Sequence, residues 1–90
     1  MMGPLPLGKI VATPGALETL TDAGEDPLRY LARHASGDWG DLDTHDRREN
    51  ERSFKHGWRV LSSYPVGGHT LWIITEADRS VTTILLPEEY

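Results

Sequence analysis

The spacing of apolar residues changes period once, near Arg59, and divides the chain into a helical part and a strand part. Leu28, Leu31, Ala32 and Ala35 recur at i, i+3, i+4 and i+7, one stripe of an amphipathic helix. Asp26-Pro27 starts that helix and Gly37 ends it. Thr13-Pro14 is the same kind of start signal for an earlier helix carrying Ala16, Leu17 and Leu20, terminated by Gly24. The Thr or Asp side chain accepts from first-turn amides that have no helical partner, and Pro suits the first helical position. The two helices, joined through Ala23–Glu25, form an αα-hairpin. A third helix is predicted from a cap at Asp43 or Thr44 to about His56, with Gly57 as its end. It is strongly polar, and Phe54 is its only large apolar residue.

From Arg59 onward the pattern is that of strands. Three are predicted, over 59–66, 69–75 and 80–86, joined by a Gly67-Gly68 hairpin turn and a charged turn at 76–79, with Pro87 as the stop. In the middle strand Leu71 and Ile73 point to one face, and Trp72 and Ile74 to the other. Both faces are apolar, so this strand is expected at the centre of the sheet, covered on each side. Residues 1–8 are rich in Pro and Gly and read as irregular. Lys9–Ala12 reads as an edge strand or an extended lead-in.

The fold expected is therefore α+β: a helical hairpin and a third helix packed on a three-stranded antiparallel β-meander. Residues 14–56 are mainly helical and 59–86 form the sheet. The hairpin covers one sheet face. The third helix or a second copy covers the other, and a helix this polar seals a sheet poorly, so a homodimer is expected.

Composition narrows this picture. Ninety residues make one domain, 1–90, with a modest core. The chain has no cysteine, which removes disulfides and thiolate metal sites and fits a reducing cytoplasm. No apolar run reaches membrane-spanning length, and Met1–Leu7 lacks the features of a signal peptide. A net charge of −5 argues against a general nucleic-acid binder. The charge is uneven. Over 18–46, Glu18, Asp22, Glu25, Asp26, Asp38, Asp41, Asp43 and Asp46 stand against Arg29 and Arg33, a local balance of −6. Over 47–59, Arg47, Arg48, Arg52, Lys55 and Arg59 stand against Glu49 and Glu51, a balance of +3. The surface has two electrical poles, suited either to solvation or to a partner.

Candidate chemistry is sparse. His34, His45, His56 and His69 match no metal-ligand spacing and read as separate surface histidines. The acidic loop from Asp38 to Asp43 fails the calcium-loop pattern, because Gly40 and Leu42 fall where oxygen ligands are needed. Ser36, Ser53, Ser62, Ser63 and Ser80 lie outside any nucleophile-elbow motif. Glu76, Asp78 and Arg79 share a turn where, with a histidine, a small ribonuclease or toxin-like site is conceivable; turn chemistry explains them as well. Gly67-Gly68 lacks the ending of a phosphate loop. No catalytic residue, metal or cofactor is assigned. Trp39 and Trp58 flank the third helix and either pin it to the sheet or, where exposed, anchor a protein partner.

Three stretches carry a resemblance: Gly37-Asp38-Trp39-Gly40-Asp41-Leu42-Asp43, the helix with Asp46, Arg47 and Asn50, and the ending from Trp72 through Thr75-Glu76-Ala77-Asp78-Arg79-Ser80 to Pro87. They are similar to a family of short bacterial proteins carried on plasmids and integrative conjugative elements. Such proteins are sometimes labelled type I restriction subunit M. That label does not transfer, because a methyltransferase subunit needs a cofactor-binding α/β domain and an Asn/Asp-Pro-Pro-Tyr/Phe motif. The resemblance implies a non-enzymatic accessory protein that binds another protein, such as a host defence complex of the CRISPR or restriction kind. The eight acids would then stand in for DNA phosphates. The alternatives are a nucleic-acid module, using Arg48, Arg52, Lys55 and Arg59 at 4-3-4 spacing with Arg47, and a small ribonuclease or toxin.

Overall fold

A computed structural model describes residues 4–90. The elements run β1 (Lys9–Ala12), α1 (Pro14–Asp22), α2 (Pro27–Ala35), α3 (Thr44–His56), β2 (Val60–Val66), β3 (His69–Thr75) and β4 (Val81–Leu85), followed by a 3₁₀ turn at Pro87–Glu89. Residues 4–8 are irregular; Met1 to Gly3, and with them part of the stretch read as lacking a signal peptide, lie outside the described residues.

Each helix begins where the capping chemistry places it. Thr13 Oγ1 accepts from Ala16 N at 3.1 Å, an Asp26 carboxylate oxygen from Leu28 N at 2.9 Å, and an Asp43 oxygen from Asp46 N at 2.8 Å. Gly57, at φ 72°, ends α3 in the left-handed conformation.

The architecture is α+β, but the sheet is four-stranded and mixed rather than a three-stranded antiparallel meander. Its order is β1-β4-β3-β2. The meander β2-β3-β4 is present, with Ser62 opposite Ile73 and Ile73 opposite Ile84. β1 then adds parallel to β4, from Lys9 opposite Val81 to Ala12 opposite Ile84. Four residues with no period of their own become a strand because the outer edge of β4 has unpaired backbone groups to satisfy. Lys9 N donates to Ser80 O at 2.9 Å and Thr13 N to Ile84 O at 3.0 Å.

The helical hairpin covers one face. Ala16 and Leu20 of α1 and Tyr30 and Leu31 of α2 pack on Tyr64, Val66, Leu71, Ile73 and Ile84. A second apolar cluster, Leu5, Trp39 and Val60 with Phe54 against it, lies at the other end of β2. Between the clusters runs a buried polar chain. Ser62 Oγ lies 2.5 Å from His34 Nδ1, His34 Nε2 lies 2.9 Å from Thr75 Oγ1, and Thr75 Oγ1 lies 2.7 Å from Thr82 Oγ1. Thr82 donates to Leu7 O at 2.7 Å. That last bond orients the rest: Thr82 must accept from Thr75, Thr75 from His34 Nε2–H, and His34 Nδ1 from Ser62. His34 is fully buried, which corrects the expectation of four surface histidines. His45, His56 and His69 are exposed.

The third helix does not cover the second face. It lies along the outer edge of β2, where Asn50 grips the backbone of Leu61. Gly40 forms a parallel bridge to Ser63, with Ser63 N donating to Trp39 O at 3.0 Å and Asp41 N to Ser63 O at 2.6 Å. The next outward-facing position is Pro65, which has no N–H to leave unpaired. Ile74 and Leu85, on the second face, are nonetheless buried within one chain. Tyr90 packs edge-on against Trp72 there, with ring centroids 5.9 Å apart. Among the described residues no helix is long and apolar enough to cross a membrane.

Candidate functional site

The two ends of α3 treat their tryptophans differently. Trp39 is 4% exposed, edge-on to Phe54 and His34 with centroids 5.9 Å away in each case, and its indole N–H donates to Glu51 at 3.0 Å. It is a core residue and offers nothing to a partner. Trp58 is 51% exposed. Its amide donates to Ser53 O at 2.9 Å, and its carbonyl accepts from the Arg79 guanidinium at 2.6 Å. Its ring stacks on His56 at 5.1 Å with an interplanar angle of 28°. The left-handed turn at Gly57 carries the chain out of the helix and presents this indole to solvent.

The charged turn is consumed by that arrangement. Arg79 sits at φ 62°, and its guanidinium also donates to Glu76 O at 3.2 Å and Ser53 O at 3.3 Å. It caps the carbonyl end of α3 rather than pairing with an acid. Asp78 accepts from Ser80 N at 3.0 Å and shapes the turn; the Ser80 hydroxyl first, and then that backbone bond, hold its carboxyl below the usual range. Asp78 and Arg79 thus have structural work, while Glu76 takes part through its backbone, its amide donating to Val81 O and its carbonyl accepting from Arg79. Among the described residues the one Ser–His pair, Ser62 with His34, is sealed from solvent.

The eight acids named from sequence are not gathered into one track. Asp26 and Asp43 cap helices. Glu25 pairs with Arg29 at 3.2 Å. Asp38 takes a two-pronged bond from Arg33, 2.6 and 3.3 Å, which lowers its carboxyl and raises the guanidinium. Glu18 and Asp22 line a groove beside Gly67 and His69. Asp41 and Asp46 line a different one, between α3 and the second sheet face. Among the described residues no group of three or more His, Cys, Asp or Glu converges as a metal site would require.

The bases also divide. Arg48, Arg52 and Lys55 share the outer surface of α3 with His56. Arg47 turns back to Leu42 O at 3.0 Å and Gly40 O at 3.3 Å. Arg59 leaves the row and lies 5.5 Å over the Tyr90 ring. Arg52 pairs with Glu49 at 3.0 Å.

Asn50, Ser62 and Ser63 went unassigned from sequence although all three organise α3 and the sheet. The available signal was two adjacent serines inside an otherwise apolar strand, polar on both faces at once. No family model, curated protein or solved structure matches the chain.

Proposed function

We propose that this chain is a non-enzymatic protein-binding module, and that Trp58 is its anchor. The observation that carries the reading is a half-exposed indole whose backbone is bonded on both sides and whose ring is stacked. A rigid exposed Trp loses little freedom on binding, and Trp is enriched among residues that dominate interfaces. The resemblance to mobile-element proteins makes a host defence complex the partner class to test first. The scattered acids lend little to phosphate mimicry as its means. Affinity purification from a natural host with the wild-type chain and with Trp58→Ala tests this. The expected result is a defence subunit that co-purifies with the first and not with the second. Identical partners with both, or unchanged exclusion of phage and plasmids on expression, argues against it.

A second reading has one observation in its favour: Arg48, Arg52 and Lys55 occupy one surface beside the His56–Trp58 stack. Bases and exposed aromatics together suit single-stranded nucleic acid. Three phosphate contacts would give a log–log salt slope of roughly −2 to −3. No shift of labelled DNA or RNA at low ionic strength removes it.

Self-association has lost the support it had from sequence, since Ile74 and Leu85 are buried within a single chain. A monomeric mass at micromolar concentration would end that reading.

A further inference from the structure

The groove between α3 and the second sheet face has a volume of about 500 Å³, within the range of roughly 300–1,000 Å³ typical of ligand sites. Trp72 contributes a half-buried indole to it. Asp41, Asp46 and Glu49 stand against one cation, Arg59, leaving the lining at −2. Arg59 is drawn to Tyr90, and Glu49 to Arg52. Among the described residues no ion pair reaches Asp41 or Asp46. Both carboxylates spring from fixed backbone: Asp41 N is bonded to Ser63 O, and Asp46 N to the Asp43 cap.

Ser63 supplies an independent sign of a ligand. It is 9% exposed and lines the same groove. Its hydroxyl makes no hydrogen bond to any described residue. Among the described residues every fully sealed side-chain polar atom is partnered, so this hydroxyl keeps some contact with solvent. A hydroxyl this nearly buried ordinarily has a protein or water partner, and no described residue of the chain serves this one.

We propose that this groove receives an arginine side chain from a basic segment of a partner protein. Asp41 and Asp46 take the guanidinium N–H groups, Ser63 accepts a further one, and Trp72 meets the flat face of the cation. A planar, forked cation suits two carboxylates and an indole better than a compact ammonium does. The volume exceeds one side chain and leaves room for flanking peptide. The site uses none of the atoms assigned to the Trp58 anchor, so each can fail alone.

The test is an amide-resolved NMR titration of the full chain with a short capped peptide, Gly-Arg-Gly, and its citrulline, lysine and spermidine counterparts. The arginine peptide is expected to shift Asp41, Ser63 and the Trp72 indole saturably at about 10 mM or below, with the citrulline peptide about tenfold weaker. The double variant D41N/D46N is expected to abolish the response with its other resonances in place, since among the described residues neither carboxylate has an ion-pair partner. Trp58→Ala is expected to bind normally. No saturable shift, an equal response to citrulline, survival of the response in D41N/D46N, or tighter binding of lysine peptide or spermidine would each overturn the assignment.

Discussion

The side-chain amide of Asn50 replaces a missing strand for Leu61: its Oδ1 accepts from Leu61 N at 2.9 Å and its Nδ2 donates to Leu61 O at 2.7 Å. One residue of a polar helix thereby closes the outer edge of β2, and a helix with a single large apolar side chain is held by backbone recognition instead of burial.

Asn50→Ala should therefore cost more than its lost contact area. It leaves two backbone groups of a partly buried strand unpaired, a loss on the order of 2–3 kcal/mol. The urea midpoint should fall, and the amide of Leu61 should exchange with solvent far faster. A change below about 0.5 kcal/mol would show that water replaces the amide without penalty.

His34 should make stability depend on pH. Burial first, and then the Arg79 charge, lower its pKa from 6.5 to about 4. In the unfolded chain the imidazole takes a proton below about 6.5, while the folded chain resists until about 4, so acid favours unfolding. This contribution is complete above pH 6.5 and declines as pH falls to about 4, by about 3 kcal/mol. Asp38, also held low, adds a further loss only in the range where carboxyls titrate. His34→Gln should be less stable at pH 7 but flatter between pH 6.5 and 4. Nitrogen shifts should place the neutral proton on Nε2, as the run of hydroxyls to Leu7 O requires. A His34 that titrates near 6.5 would sink this account.

Arg79 should tether α3. Arg79→Lys keeps the charge but cannot reach Trp58 O, Ser53 O and Glu76 O together. The expected loss is about 1–2 kcal/mol, with faster amide exchange at Gly57 and Trp58. Exchange unchanged at those two amides would mean that the helix end is held by its own glycine cap.

Gly40 and Gly57 separate two costs of replacing glycine. Both have positive φ, 73° and 72°. A Cβ at Gly57 meets open space, whereas one at Gly40 runs into the Ser63 carbonyl and the Tyr64 ring. Gly57→Ala should cost about 1–2 kcal/mol from conformation alone. Gly40→Ala should cost at least about 3 kcal/mol, since the bridge to β2 must also part. Equal midpoints for the two variants would refute the close approach.

What the sequence determined by itself was local. Caps at Thr13, Asp26 and Asp43, the stop at Gly57 and the alternation through Leu71–Ile74 each act within a few residues, so helix starts and the meander could be read directly. Only the tertiary structure decided the rest. Lys9–Ala12 became a strand because Ser80 and Ile84 offered carbonyls some 70 residues away. His34 was drawn inside because Ser62 and Thr75 could satisfy both of its ring nitrogens, and a polar group is buried only where such partners meet it. The same holds for Asn50 at the edge of β2, and for the acids, which are neighbours in sequence yet divide among helix caps, ion pairs and two different grooves. Long-range pairing leaves no period in the chain, because its cause lies in groups that folding alone brings together.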